Sequence, residues 1–198
     1  LKWDGKSISG YQHVEAEESD TKVYLYAEVD KAPEKVGALS EGTIQTGKSE
    51  VDGINAAIAL QFPSQVGNVG IRYGVSFIDE EQARKNLERE IKGFDVDAIA
   101  KVARDAWNEA LGKIEIKGGT DDDKQVFYTS LYRCFERPVC ISEDGRYYSA
   151  YDGKVHDDEG SPFYVDDWIW DTYRGAHPLR SLLAADKEGY ILNSYLLM

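Results

Sequence analysis

The residues best equipped for chemistry lie together at 164–174, Tyr-Val-Asp-Asp-Trp-Ile-Trp-Asp-Thr-Tyr-Arg, with Gly175, Ala176, His177, Pro178 and Leu179 behind them. Read as helix, the stretch sets two indoles, three carboxylates and a guanidinium on about three turns. A plain core helix fills its apolar positions with Leu, Ile and Val. This one uses Trp and Tyr, which offer a flat apolar face with a polar edge. That pairing suits a sugar, whose C–H face lies on a ring while its hydroxyls reach a carboxylate or guanidinium. The plainer reading is a buried aromatic helix end in which Asp171 and Arg174, an i,i+3 pair, neutralise each other. Residue chemistry alone leaves both open.

The chain that must position these groups has 198 residues, enough for one large domain or two small ones. With 42% hydrophobic and 30% charged residues it has a globular composition, and no run approaches the roughly 18 apolar residues of a membrane span. Its net charge of −13 argues against nucleic acid or an anionic membrane as partner, because phosphate is repelled. Cys134 and Cys140 are too few for a disulfide framework and lack zinc spacing; two separate buried thiols are expected rather than a bridge. The chain starts at Leu1 without an initiator Met and stops in the apolar run Tyr195–Met198, which reads as a piece of something larger.

The first part reads as antiparallel β-structure. Val23, Leu25, Ala27 and Val29 alternate with Tyr24, Tyr26 and Glu28, and Ala56, Ile58, Leu60 and Phe62 repeat the period of two. Val69, Ile71, Tyr73, Val75 and Phe77 repeat the pattern, with Gly70 and Gly74 on the opposite face, where glycine weakens a strand unless a backbone or ligand approaches closely. Residues 31–50 read as loop or edge. The period changes at Asp79, which with Gln82 resembles a capping box before Ala83, Leu87 and Ile91. A second helix carries Ile99, Val102, Ala103, Ala106, Ala110 and Leu111 on one stripe and stops at Gly112. Without βαβ alternation, these two helices read as a connector between domains.

Ile114-Glu115-Ile116 reads as a short strand. Thr120 and the acids Asp121, Asp122 and Asp123 then cap a third helix, with Val126, Phe127, Leu131 and Cys134 inward. A calcium loop is the sharper reading of those acids, but the spaced ligands and closing Glu of an EF-hand are missing. Turn signals at Glu143-Asp144-Gly145 and Tyr151-Asp152-Gly153 predict a small hairpin near 141–156, packed through Tyr147, Tyr148 and Tyr151 or offering them to a glycan. Asp166 or Asp167 is expected to N-cap the aromatic helix. An amphipathic segment runs on from Asp186. His177 suits a structural role at a helix end, and His13 and His156 fall in loop-like sequence.

The run Trp170–Arg174 with His177-Pro178-Leu179 resembles glycoside hydrolase family 92, calcium-dependent, inverting, exo-acting α-mannosidases. Gly74–Ile78, then Glu81–Arg84, Asn86-Leu87 and Glu90-Ile91, resemble the end of that family's N-terminal β-sandwich and its linker. Trp107-Asn108, Leu111 and Ile114 continue the linker; Phe127–Arg133 with Pro138 resembles the first helix of its (α/α)6 barrel, and Asp144–Tyr147 the hairpin after it. The resemblance implies an α+β multi-domain fragment: 1–78 part of the N-terminal β-sandwich, 79–112 helical linker, 113–198 the beginning of the (α/α)6 catalytic domain. It implies a mannose-containing glycan as ligand, bound through Trp170, Asp171 and Arg174, the last an ion-pair partner that positions the carboxylate. Trp168 falls at a variable position of the motif. It further implies Ca2+ in the complete enzyme and a secreted or periplasmic location.

An inverting glycosidase needs an acid and a base flanking a water. In the resembled family these, with the calcium ligands, lie further along the barrel, so no carboxylate here is assigned to catalysis and the isolated chain is expected to be inactive. Leu182, Leu183, Ile191, Leu192, Leu196 and Leu197 are expected to lack covering helices and to meet the rest of the parent protein or a second copy. A non-catalytic carbohydrate-binding module is the alternative.

Overall fold

The computed structural model describes residues 1–16, 19–40 and 42–198. It separates into two compact units, one of residues 1–95 with the hairpin tip 148–155, the other of 96–147 and 156–198.

The first unit is built on β1 (Lys2–Trp3), β2 (Ser7–Ala16), β3 (Ser19–Val29) and β7 (Ile71–Ser76), which form an antiparallel sheet in the order β1-β2-β3-β7. Between β3 and β7 in sequence, β4 (Lys35–Ser40), β5 (Thr43–Thr46) and β6 (Ala57–Gln61) make a second antiparallel sheet, ordered β5-β4-β6. The alternating segments thus become strands as expected. Residues 31–50, apart from residue 41 which lies outside the described ones, are more regular than their composition suggests. β4 is a central strand, because pairing on both sides satisfies its backbone despite few apolar anchors.

Helix α1 (Glu80–Glu90) lies on the four-stranded sheet. Asp79 caps it, its carboxylate accepting from the Gln82 N–H at 2.7 Å, while the Gln82 amide donates to Asn86 Oδ1. Ala83 and Leu87 are fully buried. Gly74 explains how the helix comes so close: a Cβ there would stand 2.4 Å from the Ala83 carbonyl oxygen and 2.8 Å from the Leu87 nitrogen. The backbone approach that glycine in a strand implies is made by α1 itself, which packs on β7 and β3. Below it, Arg72 donates two bonds to Glu28 Oε2, at 2.6 and 3.0 Å, and a third to the Ile91 carbonyl. That ties the end of α1 to β3.

The second unit starts with α2 (Val96–Leu111). None of its residues is buried, so its apolar stripe is only partly used, through Trp107, whose ring lies 4.5 Å from that of Tyr132. Ile114–Ile116 is not a strand; the Ile114 carbonyl instead accepts from the Tyr128 hydroxyl at 2.9 Å. Helix α3 (Asp121–Glu136) opens with the reciprocal Thr120–Asp123 capping box, and buries Leu131 while Val126 faces solvent. Short strands β8 (Val139–Cys140) and β11 (Tyr164–Val165) pair antiparallel. Between them in sequence, β9 (Arg146–Ser149) and β10 (Lys154–Asp157) make the hairpin, so His156 lies on a strand, as does His13 on β2. Tyr147 stacks on Phe163 at 3.9 Å, whereas Tyr151 projects fully into solvent.

Helix α4 (Ile169–Thr172) is a single turn; α5 (Ala176–Leu183) and α6 (Ala185–Leu197) pack on each other, with α3 against α5. Within the described residues these helices do not close a barrel. Cys134 and Cys140 are free thiols, as expected, but neither is buried: Cys134 is half-buried and Cys140 exposed. Of the leucine face, Leu182 and Leu196 are each 84% exposed, with Leu192 and Leu197 about half; Ile191 is covered, contrary to expectation. Among the described residues no helix is long and apolar enough to cross a membrane.

Candidate functional site

The aromatic segment is a turn rather than a three-turn helix. After β11 the chain passes through Asp166 in the left-handed region (φ 67°), its carboxylate 3.3 Å from Arg137 Nε. Neither Asp166 nor Asp167 caps α4: Trp168 occupies the N-cap position without a side-chain bond. Backbone bonds from Asp171 N–H and Thr172 N–H to the Trp168 carbonyl, at 2.7 and 3.1 Å, close the turn. The Asp167 side chain instead accepts the Tyr195 hydroxyl.

The turn presents its rings outward. Trp168 is 67% exposed and Trp170 84%, with Asp171, Tyr173 and Arg174 also exposed. Trp170 and Tyr173 sit 6.5 Å apart between ring centroids. Arg174 turns to Tyr173, its Nε–H donating to the phenol oxygen at 2.6 Å and its guanidinium carbon 5.2 Å from the ring centre. Among the described residues no ion pair joins Asp171 to Arg174. Neutralisation within an i,i+3 pair therefore does not account for Asp171, and Trp170, Asp171 and Arg174 are brought onto one exposed turn. Chemically, that turn can stack an apolar face on an indole and accept hydroxyl protons at the Asp171 carboxylate.

Directly beneath lies a polar cluster. The Asp167 side chain, only 2% exposed, accepts the Tyr195 hydroxyl and places Oδ2 3.0 Å from His177 Nε2 and 3.8 Å from the Arg180 guanidinium. Glu188 faces the same two side chains, with Oε1 2.6 Å from His177 Nδ1 and Oε2 accepting from Arg180 Nε at 2.9 Å. Arg180 also donates to the Cys134 and Arg137 carbonyls at the end of α3, both at 3.1 Å. Burial would raise the Asp167 pKa, but the Tyr195 hydroxyl, Thr172, His177 and Arg180 together hold it below its ordinary range. Burial and the neighbouring Asp167 push the Tyr195 phenol upward. Asp167 Oδ1 and His177 Nε2 are both buried without a hydrogen-bond partner, the 3.0 Å between His177 Nε2 and Asp167 Oδ2 being a close approach and not a hydrogen bond; such groups in native proteins accompany strain or function.

Sequence reasoning reaches His177 as a structural residue but misses the cluster. Its trace is there: His177 and Arg180 are i,i+3 on α5, and Glu188 and Tyr195 are i,i+7 on α6, so each pair shares a helix face. The cluster does not suit calcium. That ion takes six to eight oxygens, whereas both carboxylates of the cluster already face the Tyr195, His177 and Arg180 side chains. Among the described residues no group of three His, Cys, Asp or Glu is arranged to hold a metal.

Residues 82–198, more than half of the chain, match the profile of the glycosyl hydrolase family 92 catalytic domain. A curated relative from Arthroderma benhamiae, described as an uncharacterized secreted glycosidase, is 34% identical over 130 residues, 62% of this chain and 16% of the relative. The family 92 inverting mannosidase of Bacteroides thetaiotaomicron superposes on 98% of this chain with a TM-score of 0.82 and 30% identity. A family 92 glycosyl hydrolase named ccman5 superposes on 96% with a TM-score of 0.84 and 25% identity. A second mannosidase of Bacteroides thetaiotaomicron, 23% identical with a TM-score of 0.81, shares the fold. The chain spans only 26–27% of the length of these solved structures. With the profile covering the helical part and the superpositions nearly the whole chain, the chain belongs to glycosyl hydrolase family 92.

Proposed function

We propose that this chain forms part of an inverting, calcium-dependent, exo-acting α-mannosidase, and that Trp170, Asp171 and Arg174 bind the terminal mannose of a glycan. In this reading residues 1–78 contribute to the N-terminal β-sandwich, 79–112 form the linker and 113–198 begin the (α/α)6 catalytic domain. The observation that carries the reading is the outward turn at 168–174, with exposed indoles beside a carboxylate that no ion pair among the described residues engages. A mannose ring would lay its C–H face on Trp170 while Asp171 accepts two of its hydroxyls. Arg174, held at Tyr173 by its bond to the phenol oxygen, would brace the far side of the sugar.

The chemistry itself is assigned elsewhere in the parent protein. Inversion requires a general acid and a general base about 6.5–9.5 Å apart with a water between them. Asp167 and Glu188 are the buried carboxylates nearest the turn, and their ties to His177, Arg180 and Tyr195 leave neither in a position to shuttle protons. Calcium, which the complete enzyme would use to bind and orient substrate, is likewise assigned to residues outside this chain. A secreted or periplasmic setting fits the secreted relative.

The test is titration of the purified chain with methyl α-mannoside, monitored by tryptophan fluorescence and calorimetry. Saturable binding is expected, lost on Trp170→Ala and weakened about tenfold or more on Asp171→Asn, since a bond to a charged acceptor is lost. Hydrolysis of p-nitrophenyl α-mannoside should be undetectable with or without calcium. Turnover by the chain alone, or binding indifferent to both substitutions, refutes the assignment.

A further inference from the structure

The aromatic turn has almost no packing of its own. No residue of α4 is buried, and no side chain caps it. A surface that is to stack on a sugar must nevertheless hold its rings at a fixed angle, so the geometry has to be imposed from the ends of the segment. Both ends run into the same buried cluster. Asp167 precedes the first indole, and His177 stands in the first turn of α5 just beyond the last exposed residue; their side chains meet at 3.0 Å.

The rest of the cluster ties this junction to three helices. Tyr195 reaches Asp167 from α6, Arg180 and His177 come from α5, and Glu188 of α6 closes behind them. Arg180 then fastens the group to the last carbonyls of α3. Resting on the reading of 168–174 as a sugar-binding turn, we propose that Asp167, His177, Arg180, Glu188 and Tyr195 are positioning residues. They form a clasp that closes the loop at its two ends and sets the orientation of Trp168 and Trp170.

The polar composition argues for this role over simple packing. Well-packed apolar residues stabilise a core as well as a buried ion pair does, or better, because both charges must leave water. Hydrogen bonds and ion pairs supply direction instead, and here every one of them fixes either a stem of the loop or a partner that fixes a stem. Two carboxylates face one guanidinium, one imidazole and one phenol, so each buried carboxylate has polar partners within the junction. Loop closure by contacts at the stems leaves the tip free of packing constraints, which is what an outward-facing platform requires.

Fluorine NMR of the 198-residue chain labelled with 5-fluorotryptophan tests the proposal. The four indoles give four resonances, assigned by Trp→Phe substitution. Tyr195→Phe keeps the ring and removes only the hydroxyl bonded to Asp167; Asp167→Asn keeps the shape and removes the charge. The expected result in both is retained helical circular dichroism, with displaced or broadened Trp168 and Trp170 resonances and unmoved Trp3 and Trp107 resonances. Affinity for methyl α-mannoside should fall about fivefold in Tyr195→Phe, the equivalent of one lost hydrogen bond. If the unsubstituted chain binds no mannoside, the sugar reading fails while the spectra still decide the clasp. Trp168 and Trp170 resonances unchanged in both variants overturn it. So does a shift of all four indoles alike, which marks a general loss of packing, and should Asp167→Asn fail to fold, Tyr195→Phe alone decides.

Discussion

Gly74→Ala puts the packing of the first unit to a direct test. The added methyl would lie 2.4 Å from the Ala83 carbonyl oxygen, 2.8 Å from the Leu87 nitrogen and 2.9 Å from Leu87 Cβ. Two of these atoms are backbone and cannot rotate away. Ordinary contact begins near 3.4 Å, so α1 must lift by about 1 Å. Lifting it strains the Asn86 bond to the Val75 carbonyl, now 2.9 Å, and uncovers Ala83 and Leu87, at 0% and 1% exposure the deepest apolar residues of the helix. Overpacking costs about 1–3 kcal/mol and a strained buried hydrogen bond about 1 more. Replacing glycine returns about 0.4–1 kcal/mol through the unfolded chain. The net is a loss of about 2–3 kcal/mol, a large share of the ~5–15 kcal/mol of an ordinary domain. Because the chain has two units, a single global midpoint would blur the effect. Hydrogen exchange at the β3 and β7 amides reads it locally, and those amides should exchange about thirty- to a hundredfold faster. A change below about 0.5 kcal/mol, or slower exchange, would show that α1 does not need the glycine and refute the close-approach argument.

Gly189→Ala is the matching control: it sits within α6 with nothing within 4 Å of the added methyl, so α6 should gain about 0.5–1 kcal/mol by the same exchange measurement. Thr120→Ala removes the hydroxyl that receives the Asp123 N–H and should cost α3 about 1 kcal/mol, visible as fraying of its first amides. Burial would raise the Glu28 pKa, but Arg72 and Lys6 hold it below its ordinary 4.5, so its stabilisation is present above pH 4.5 and is lost as pH falls through the lowered value; Glu28→Gln should flatten that acid limb in denaturation measured against pH. The exposed Leu182, Leu196, Leu197 and Met198 should make the isolated chain self-associate with concentration in sedimentation velocity, whereas a monodisperse monomer at high concentration would show the patch to be harmless.

Legibility in the sequence tracks the physics of each element. The strands at 23–29, 57–61 and 71–76 are readable from their period of two, but not the face they bury: in β7 the apolar Ile71, Tyr73 and Val75 are exposed, while Arg72, Gly74 and Ser76 lie under α1. The caps at Asp79 and Thr120 are readable because capping is a local bond between residues three apart. β4 and β5 are not: they pair locally, Ser40 opposite Thr43, but their side chains carry little apolar alternation and β5 is exposed throughout. The Ile114–Ile116 run looks like a strand but has no neighbouring strand to pair with, and its carbonyl goes to Tyr128 instead. Val126 keeps helical spacing yet faces solvent, because periodicity names a stripe without saying whether anything covers it.

The candidate site shows the same division more sharply. The exposed chemistry at Trp170, Asp171 and Arg174 can be picked out by residue type alone, since local composition is all that an outward turn needs. What holds it cannot. Asp167 stands beside Asp166 as an equivalent candidate cap, and only the tertiary fold separates them: one reaches the half-exposed Arg137, the other is buried against Tyr195, His177 and Arg180. The partners come from positions 177, 180, 188 and 195, on two helices that only the fold brings together. A polar residue at a buried helical position reads in sequence as an interruption of the apolar face. In the folded unit each interruption finds another, and together they form the clasp beneath the turn.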